Sequence, residues 1–149
     1  MSKNYVIGFP RIGEKRELKK VLEDYWAKKV DFSEVKYVAE NLRKRHWTYQ
    51  KEAKIDFIAS NDFSLYDNML DSSILIGAIP KRFQHLKDEE LYFAMARGNE
   101  TRVAMEMTKW FNTNYHYIVP EISKNTIFKL NSKKVIEEYK EALRSLYFE

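Results

Sequence analysis

Cysteine is absent from the 149 residues, which excludes disulfides and every thiolate metal site within this stretch. Glycine and proline are scarce, four and three in number, and they cluster. Gly8, Pro10 and Gly13 fall in Gly8-Phe9-Pro10-Arg11-Ile12-Gly13, Gly77 sits near Pro80, Gly98 follows Arg97, and Pro120 follows an aromatic run. Such residues punctuate structure, so the chain between them reads as long regular elements. No stretch of 18 apolar residues occurs, so no membrane span is expected. Met1 to Asn4 leads straight into Tyr5-Val6-Ile7, too short an apolar run for a signal peptide, and a cytoplasmic location is the expectation. The chain also lacks a dense basic stripe. Its net charge of +4 and pI near 9.1 suit an anionic partner without requiring one, and nucleic acid is not expected.

Hydrophobic residues make up 44% of the chain and aromatics 15%, enough for one domain with a packed core and too apolar for disorder. Tyr5 to Gly8 reads as a strand stopped by Phe9-Pro10. Leu18, Val21, Leu22, Tyr25 and Trp26 have helical spacing. A second helix starts near Asp31 or Ser33, with Asp31 and Glu34 at capping-box distance. Its stripe is Val35, Val38, Ala39, Leu42, His46 and Tyr49, and Arg43-Lys44-Arg45 lies near its end, where cations suit the helix dipole. Ile55 to Ala59 reads as a strand, and residues 65–79 as a helix with irregular ends. Asp88 to Arg97 and Val103 to Phe111 read as helices, Tyr115 to Val119 as a strand, and Thr126 to Leu130 as a short strand or a loop. Val135, Ile136, Tyr139, Leu143 and Leu146 mark a last amphipathic helix. Strands separated by helices imply parallel pairing and an α/β class. About three strands are too few for a closed eight-stranded barrel of typically ~250 residues, so a truncated barrel is expected.

Three segments carry candidate chemistry. In the first, a strand ends, the chain turns through Gly8 to Gly13, and a helix opens with Arg16-Glu17-Leu18-Lys19-Lys20. Helix N-termini favour anions, and Arg16 and Lys19, three apart, share a face. That face reads either as a carboxylate site or as a solvated basic surface. The glycine spacing fits neither a dinucleotide fingerprint nor a P-loop. In the second, Ser60 to Asp67 follows a strand, where ordinary turn chemistry explains Ser, Asn and Asp. The third runs from Glu106 to Tyr117. Trp110 and the tyrosines there suit stacking on a planar ring with Lys109 reaching an anion, or equally a core of aromatics with a snorkelling lysine. His46, His85 and His116 are dispersed without metal-ligand spacing, so no metal site and no catalytic residue is assigned.

Taken in order, these segments resemble the N-terminal domain of the cobalamin-independent methionine synthases. The matching residues are Gly8 to Gly13, Arg16 to Lys20, Tyr25-Trp26, Arg45-His46-Trp47, Asn61 to Asp67, Ile79 to Phe83, Tyr92 to Gly98, and Met105 through Trp110 to Glu121. The resemblance implies two face-to-face (βα)8 barrels in the whole protein. Residues 1–149 would be a truncated N-terminal portion of the folate-binding domain, a partial TIM barrel made of its first few βα units. It implies methyl transfer from 5-methyltetrahydropteroyl polyglutamate to homocysteine, giving methionine. Cobalamin is not required, and a zinc ion is held by His, Glu and two Cys of the second barrel, outside this chain. It further implies folate binding by Arg16, Glu17, Leu18 and Lys19 and by Lys109. This piece would then bind folate without turning over, and homocysteine would bind only to the intact enzyme. The alternative is a non-enzymatic anion-binding or interaction module. A partial barrel exposes strand edges, so self-association is also expected.

Overall fold

The helical periodicity of the first fifty residues becomes two helices, α1 (Glu17–Trp26) and α2 (Phe32–Glu52), in a computed structural model that describes residues 2–147. Met1, Phe148 and Glu149, part of the expected domain span, lie outside the described residues. Next come α3 (Asn68–Leu75), a single 3-10 turn at Lys81–Phe83, α4 (Asp88–Arg97), β1 (Met107–Lys109), β2 (His116–Ile118) and α5 (Lys133–Tyr147). Helix and strand are mixed, in keeping with the α/β class. The chain divides into two compact units, one of Met1–Leu65 with Lys133–Glu149 and one of Tyr66–Ser132.

In the first unit α1 buries Leu18, Val21 and Leu22, three of its five expected apolar positions. Full burial of such side chains contributes about 1.5–3 kcal/mol each. The helix α2 buries Val35, Ala39, Leu42 and His46, and also Trp47 and Gln50. Tyr49, expected in that stripe, is exposed. The buried surface is turned because α2 packs against both α1 and α5. Trp47 packs with Ala142 and Leu146 of α5, and its indole N–H donates to the Ala59 carbonyl at 3.0 Å.

Four expectations need correction in this unit. Asp31 caps α2 without a side-chain bond; the Glu34 N–H donates instead to the Asp31 carbonyl at 3.1 Å, so no capping box forms. The Arg43-Lys44-Arg45 cluster stands inside α2, which runs on to Glu52, and its arginines serve ion pairs rather than the helix dipole. On α5 the buried face is Glu138, Ala142 and Leu146, while Ile136 and Tyr139 are exposed. The cause is Arg43, which donates twice to Glu141, at 3.0 and 2.7 Å, and stands 3.7 Å from Glu138. Lys134 joins Glu138 at 3.0 Å and donates to the Phe63 carbonyl at 2.8 Å. Last, the expected strands at Tyr5 to Gly8 and Ile55 to Ala59 shrink to one parallel bridge, Tyr5 to Phe57. Asn4 and Asp56 flank it with reciprocal bonds of 2.8 Å. The parallel sense is as expected, but a lone strand pair is marginal without neighbours.

The second unit packs Leu70, Phe83, Leu91, Met95, Met105 and Ile118 into one core. Its helix α4 covers the expected span and stops at Gly98, whose φ of +73° few side chains tolerate. The expected helix from Val103 to Phe111 is not formed. Past Gly98 the chain turns at the Asn99–Arg102 bridge. Met107 to Lys109 then pairs antiparallel with His116 to Ile118, in the register Met107–Ile118, Thr108–Tyr117 and Lys109–His116. A six-residue connection closes this hairpin, whereas parallel pairing needs a crossover of a dozen residues or more. Thr126 to Leu130 resolves as loop. The Lys129 and Asn131 N–H groups donate to Ile76 and Leu75 at 2.9 and 2.7 Å, satisfying carbonyls at the end of α3.

Asp67 ties this unit together. It is buried, and its Oδ2 accepts the Leu70 N–H at 3.0 Å as the N-cap of α3. The same oxygen accepts the Ile118 N–H of β2 at 3.0 Å, and Oδ1 accepts the Tyr115 hydroxyl at 2.6 Å. Asp67→Ala removes the cap and strands a buried N–H, so it should lower unfolding stability by about 3 kcal/mol. Urea denaturation checks this, and an unchanged midpoint would contradict the role given to Asp67.

Candidate functional site

The N-terminal basic face is built by the turn that precedes α1. Gly13 adopts φ +82°, and a Cβ there would run into the Glu17 carboxylate and the Leu42 side chain. The Arg16 N–H donates to the Gly13 carbonyl at 3.0 Å and the Leu18 N–H to the Ile12 carbonyl at 3.2 Å. Arg16 itself takes left-handed backbone angles, φ 59° and ψ 35°, at the helix N-cap. A non-glycine residue held there costs about 1 kcal/mol or more, so the surrounding contacts must impose it.

The four residues predicted from sequence separate into two pairs. Arg16 and Lys19 are exposed, and with Lys20 and Glu23 they line a shallow hollow of ≈ 210 Å³. Leu18 is fully buried and anchors the helix beneath them. Glu17 turns away from the hollow. Its Oε1 accepts from Arg45 at 2.8 Å and its Oε2 from the Lys15 N–H at 2.9 Å. The Arg45 hydrogen bond, chiefly, holds the Glu17 carboxyl below the usual carboxylate range, and Glu17 in turn pushes Arg45 up. Lys19 stands 3.6 Å from Glu23, an exposed i, i+4 pair of the kind that contributes only a few tenths of a kcal/mol. An incoming carboxylate displaces such a pair at little cost.

Lys20 and Glu23 were legible as further members of this face, because they follow Arg16 and Lys19 by four residues. Arg45 was not. Its partner Glu17 lies 28 residues away, and nothing in local spacing signals the pair.

Lys109 lies in the second unit, exposed at the end of β1 opposite His116. Trp110 meets Phe111 and Tyr117 edge to face, with ring centroids 5.2 and 5.5 Å apart. Successive strand residues point to opposite faces, so Lys109 with His116 and Tyr117 with Trp110 stand on opposite sides of the hairpin. One planar ring lying on Trp110 and Tyr117 would therefore not meet Lys109 on the same side. Phe111 is exposed with φ 50°. Arg16 to Lys19 and Lys109 belong to different units.

The Ser60 to Asp67 segment is structural, as turn chemistry implied, but its reach is long. Asp62 Oδ2 accepts the Phe9 N–H at 2.7 Å and so clasps the loop before α1. The Phe9 ring stacks on buried His46 at 4.3 Å, and burial, followed by the Arg45 charge, pushes the His46 pKa down. Among the described residues no group of three or more His, Cys, Asp or Glu side chains is placed to hold a metal ion. No helix among them is long and apolar enough to cross a membrane.

A family profile described as "Cobalamin-independent synthase, N-terminal domain" matches residues 3–148. Among curated relatives, the 5-methyltetrahydropteroyltriglutamate–homocysteine methyltransferase of Desulforamulus reducens is 67% identical over 139 residues, which cover 93% of this chain and 18% of that protein. The protein of the same name from Lactococcus lactis subsp. cremoris is 53% identical over 147 residues, 94% of this chain and 19% of the relative. The one from Flavobacterium johnsoniae is 51% identical over 144 residues, 91% and 19% respectively. The chain thus spans about a fifth of the length of the curated relatives it matches.

The depressed His46 pKa makes stability depend on pH. The unfolded chain binds a proton at His46 near the ordinary value of 6.5, while the folded one resists it. Stability from this residue is complete above pH 6.5 and is lost as pH falls below it towards the folded pKa. Urea midpoints measured from pH 7.5 down to pH 5.5 should decline, and His46→Gln should flatten that slope.

Proposed function

We propose, on the premise that the chain belongs to the cobalamin-independent synthase family through its N-terminal domain, that it supplies the cationic surface receiving the polyglutamate tail of a folate methyl donor. The relatives are named for 5-methyltetrahydropteroyltriglutamate and homocysteine, and the whole protein would move a methyl group from the first to the second to make methionine. In this reading residues 1–149 are the opening part of a (βα)8 barrel. The parallel bridge between Tyr5 and Phe57 is a remnant of adjacent barrel strands, and each is followed by a helix, as in βα units.

One observation carries the reading. Arg16, Lys19 and Lys20 face solvent around one hollow, while the carboxylate between them, Glu17, is drawn off by Arg45. A triglutamate tail is a chain of carboxylates, and this surface presents three cations to it, with Glu23 the one carboxylate on the hollow and already paired with Lys19. Glu17 and Leu18 serve the site by holding the first turn of α1. Lys109 is a second cationic contact on its own unit, reaching an anion rather than stacking with Trp110. All these side chains bind and orient, and none is placed as a nucleophile or a general acid. A zinc ion, when bound in the whole protein, would supply thiolate activation of homocysteine. Among the described residues no group fits a zinc site, so no step is routed through it here.

Calorimetric titration with 5-methyltetrahydrofolate triglutamate tests the proposal. Exposed ion pairs contribute ~0–1 kcal/mol each, so Arg16→Ala, Lys19→Ala and Lys109→Ala should each weaken binding by up to about fivefold. Raising NaCl from low to high concentration should weaken it further. Unaltered binding in all three variants would exclude this surface, and no binding by the wild-type chain would show that these residues form no tail site by themselves. The exposed side chains of Tyr5, Ile7 and Phe57 beside the lone bridge favour self-association of the chain through that edge. Sedimentation velocity should show dimers or larger species whose share grows with concentration, and a monomer at every concentration would refute it.

A further inference from the structure

The turn before α1 presents Arg16 in a backbone conformation that it would not adopt by itself, and a small set of contacts enforces it. Gly13 makes room for the Glu17 carboxylate. That carboxylate reaches back to the Lys15 N–H at 2.9 Å, across Arg16. Arg45, from the middle of α2, fixes its other oxygen at 2.8 Å. Both partners are only partly exposed, Arg45 33% and Glu17 26% by side chain, which favours a pair that holds one geometry over a mobile surface contact.

We propose that Arg45 and Glu17 are positioning residues for the tail site, setting how Arg16 and Lys19 face an oligocarboxylate; this rests on the reading given under Proposed function. The pair has two effects. Geometrically, the Glu17 bridge to the Lys15 N–H locks the residues on either side of Arg16, so the left-handed turn is formed before any ligand arrives. Electrostatically, Arg45 neutralises and withdraws the one carboxylate that stands between the two cations in sequence. Without Arg45, Glu17 is released in the first turn of α1, within reach of the cations that the tail needs. The pair therefore acts on the anionic tail and leaves the rest of the folate untouched.

The test compares 5-methyltetrahydrofolate carrying one glutamate with the same compound carrying three. Binding is measured by calorimetry on the wild-type chain, Glu17→Gln, Arg45→Gln and the double variant, with thermal unfolding of each in parallel. Glu17→Gln should weaken triglutamate binding about threefold, the size of one exposed ion pair, and leave the monoglutamate almost unchanged. Arg45→Gln should weaken it about tenfold, because a freed carboxylate now opposes the tail and competes for Arg16 and Lys19. The double variant should return to the level of Glu17→Gln, a recovery that loss of folding cannot produce. Unchanged or improved triglutamate binding in Glu17→Gln, or equal losses for one and three glutamates, would overturn the inference. If Arg45→Gln does not fold, Glu17→Gln alone decides. Arg16→Ala and Lys19→Ala separate the two levels. If they leave binding intact, or the wild-type chain does not bind, the tail-site reading falls and takes the inference with it. If they weaken binding while Glu17→Gln does not, only the inference fails.

Discussion

A charge removed from water costs several kcal/mol unless a partner meets it where it is buried. In each unit of this chain one such charge dictates how distant segments must lie. Asp67 does so in the second unit, where one carboxylate is at once the N-cap of α3 and the acceptor for a strand N–H 51 residues away. Arg43 does so in the first, where its guanidinium binds Glu141 in two places and lies 5.2 Å from the Phe63 ring centre. Hydrophobic burial supplies most of the driving force, but it is not directional. These charged contacts select which face of α5 turns inward and which end of α3 meets β2.

The same chemistry operates at the surface with a different result. Glu17 and Arg45 form a pair that is partly exposed, and its contribution to folding is small. Its consequence is local: it occupies a carboxylate that would otherwise lie among Arg16, Lys19 and Lys20. A basic face becomes a receptive one when its internal anions are already engaged. Glu23 shows the contrasting case, since its exposed pair with Lys19 yields readily to a competing carboxylate.

Several elements were legible because their signals are local. Leu18, Val21 and Leu22 of α1 follow helical periodicity and are buried as that periodicity requires. Asp88 to Arg97 is bounded by acidic residues at its start and Gly98 at its end, and it forms the helix so bounded. The misread segments depend on partners. Met107 to Lys109 is a strand only because His116 to Ile118 folds back beside it. Ile136 and Tyr139 looked like core positions of α5, yet Arg43 draws the Glu138 side inward. Tyr49 gave way to Trp47 because α2 has neighbours on two sides.

The candidate site divides along the same line. Residue types and their order were enough to identify the family and to mark Arg16, Lys19 and Lys109, because motifs and i, i+3 spacing are properties of the chain itself. Tertiary structure alone decided that Glu17 turns towards Arg45, that Leu18 is an anchor beneath the site, and that Lys109 and the Trp110 ring stand on opposite sides of a hairpin. The physical reason is that spacing along a helix or strand determines which residues share a face. Which face meets a partner, and which charge is cancelled, depends on residues tens of positions away that only folding brings into contact.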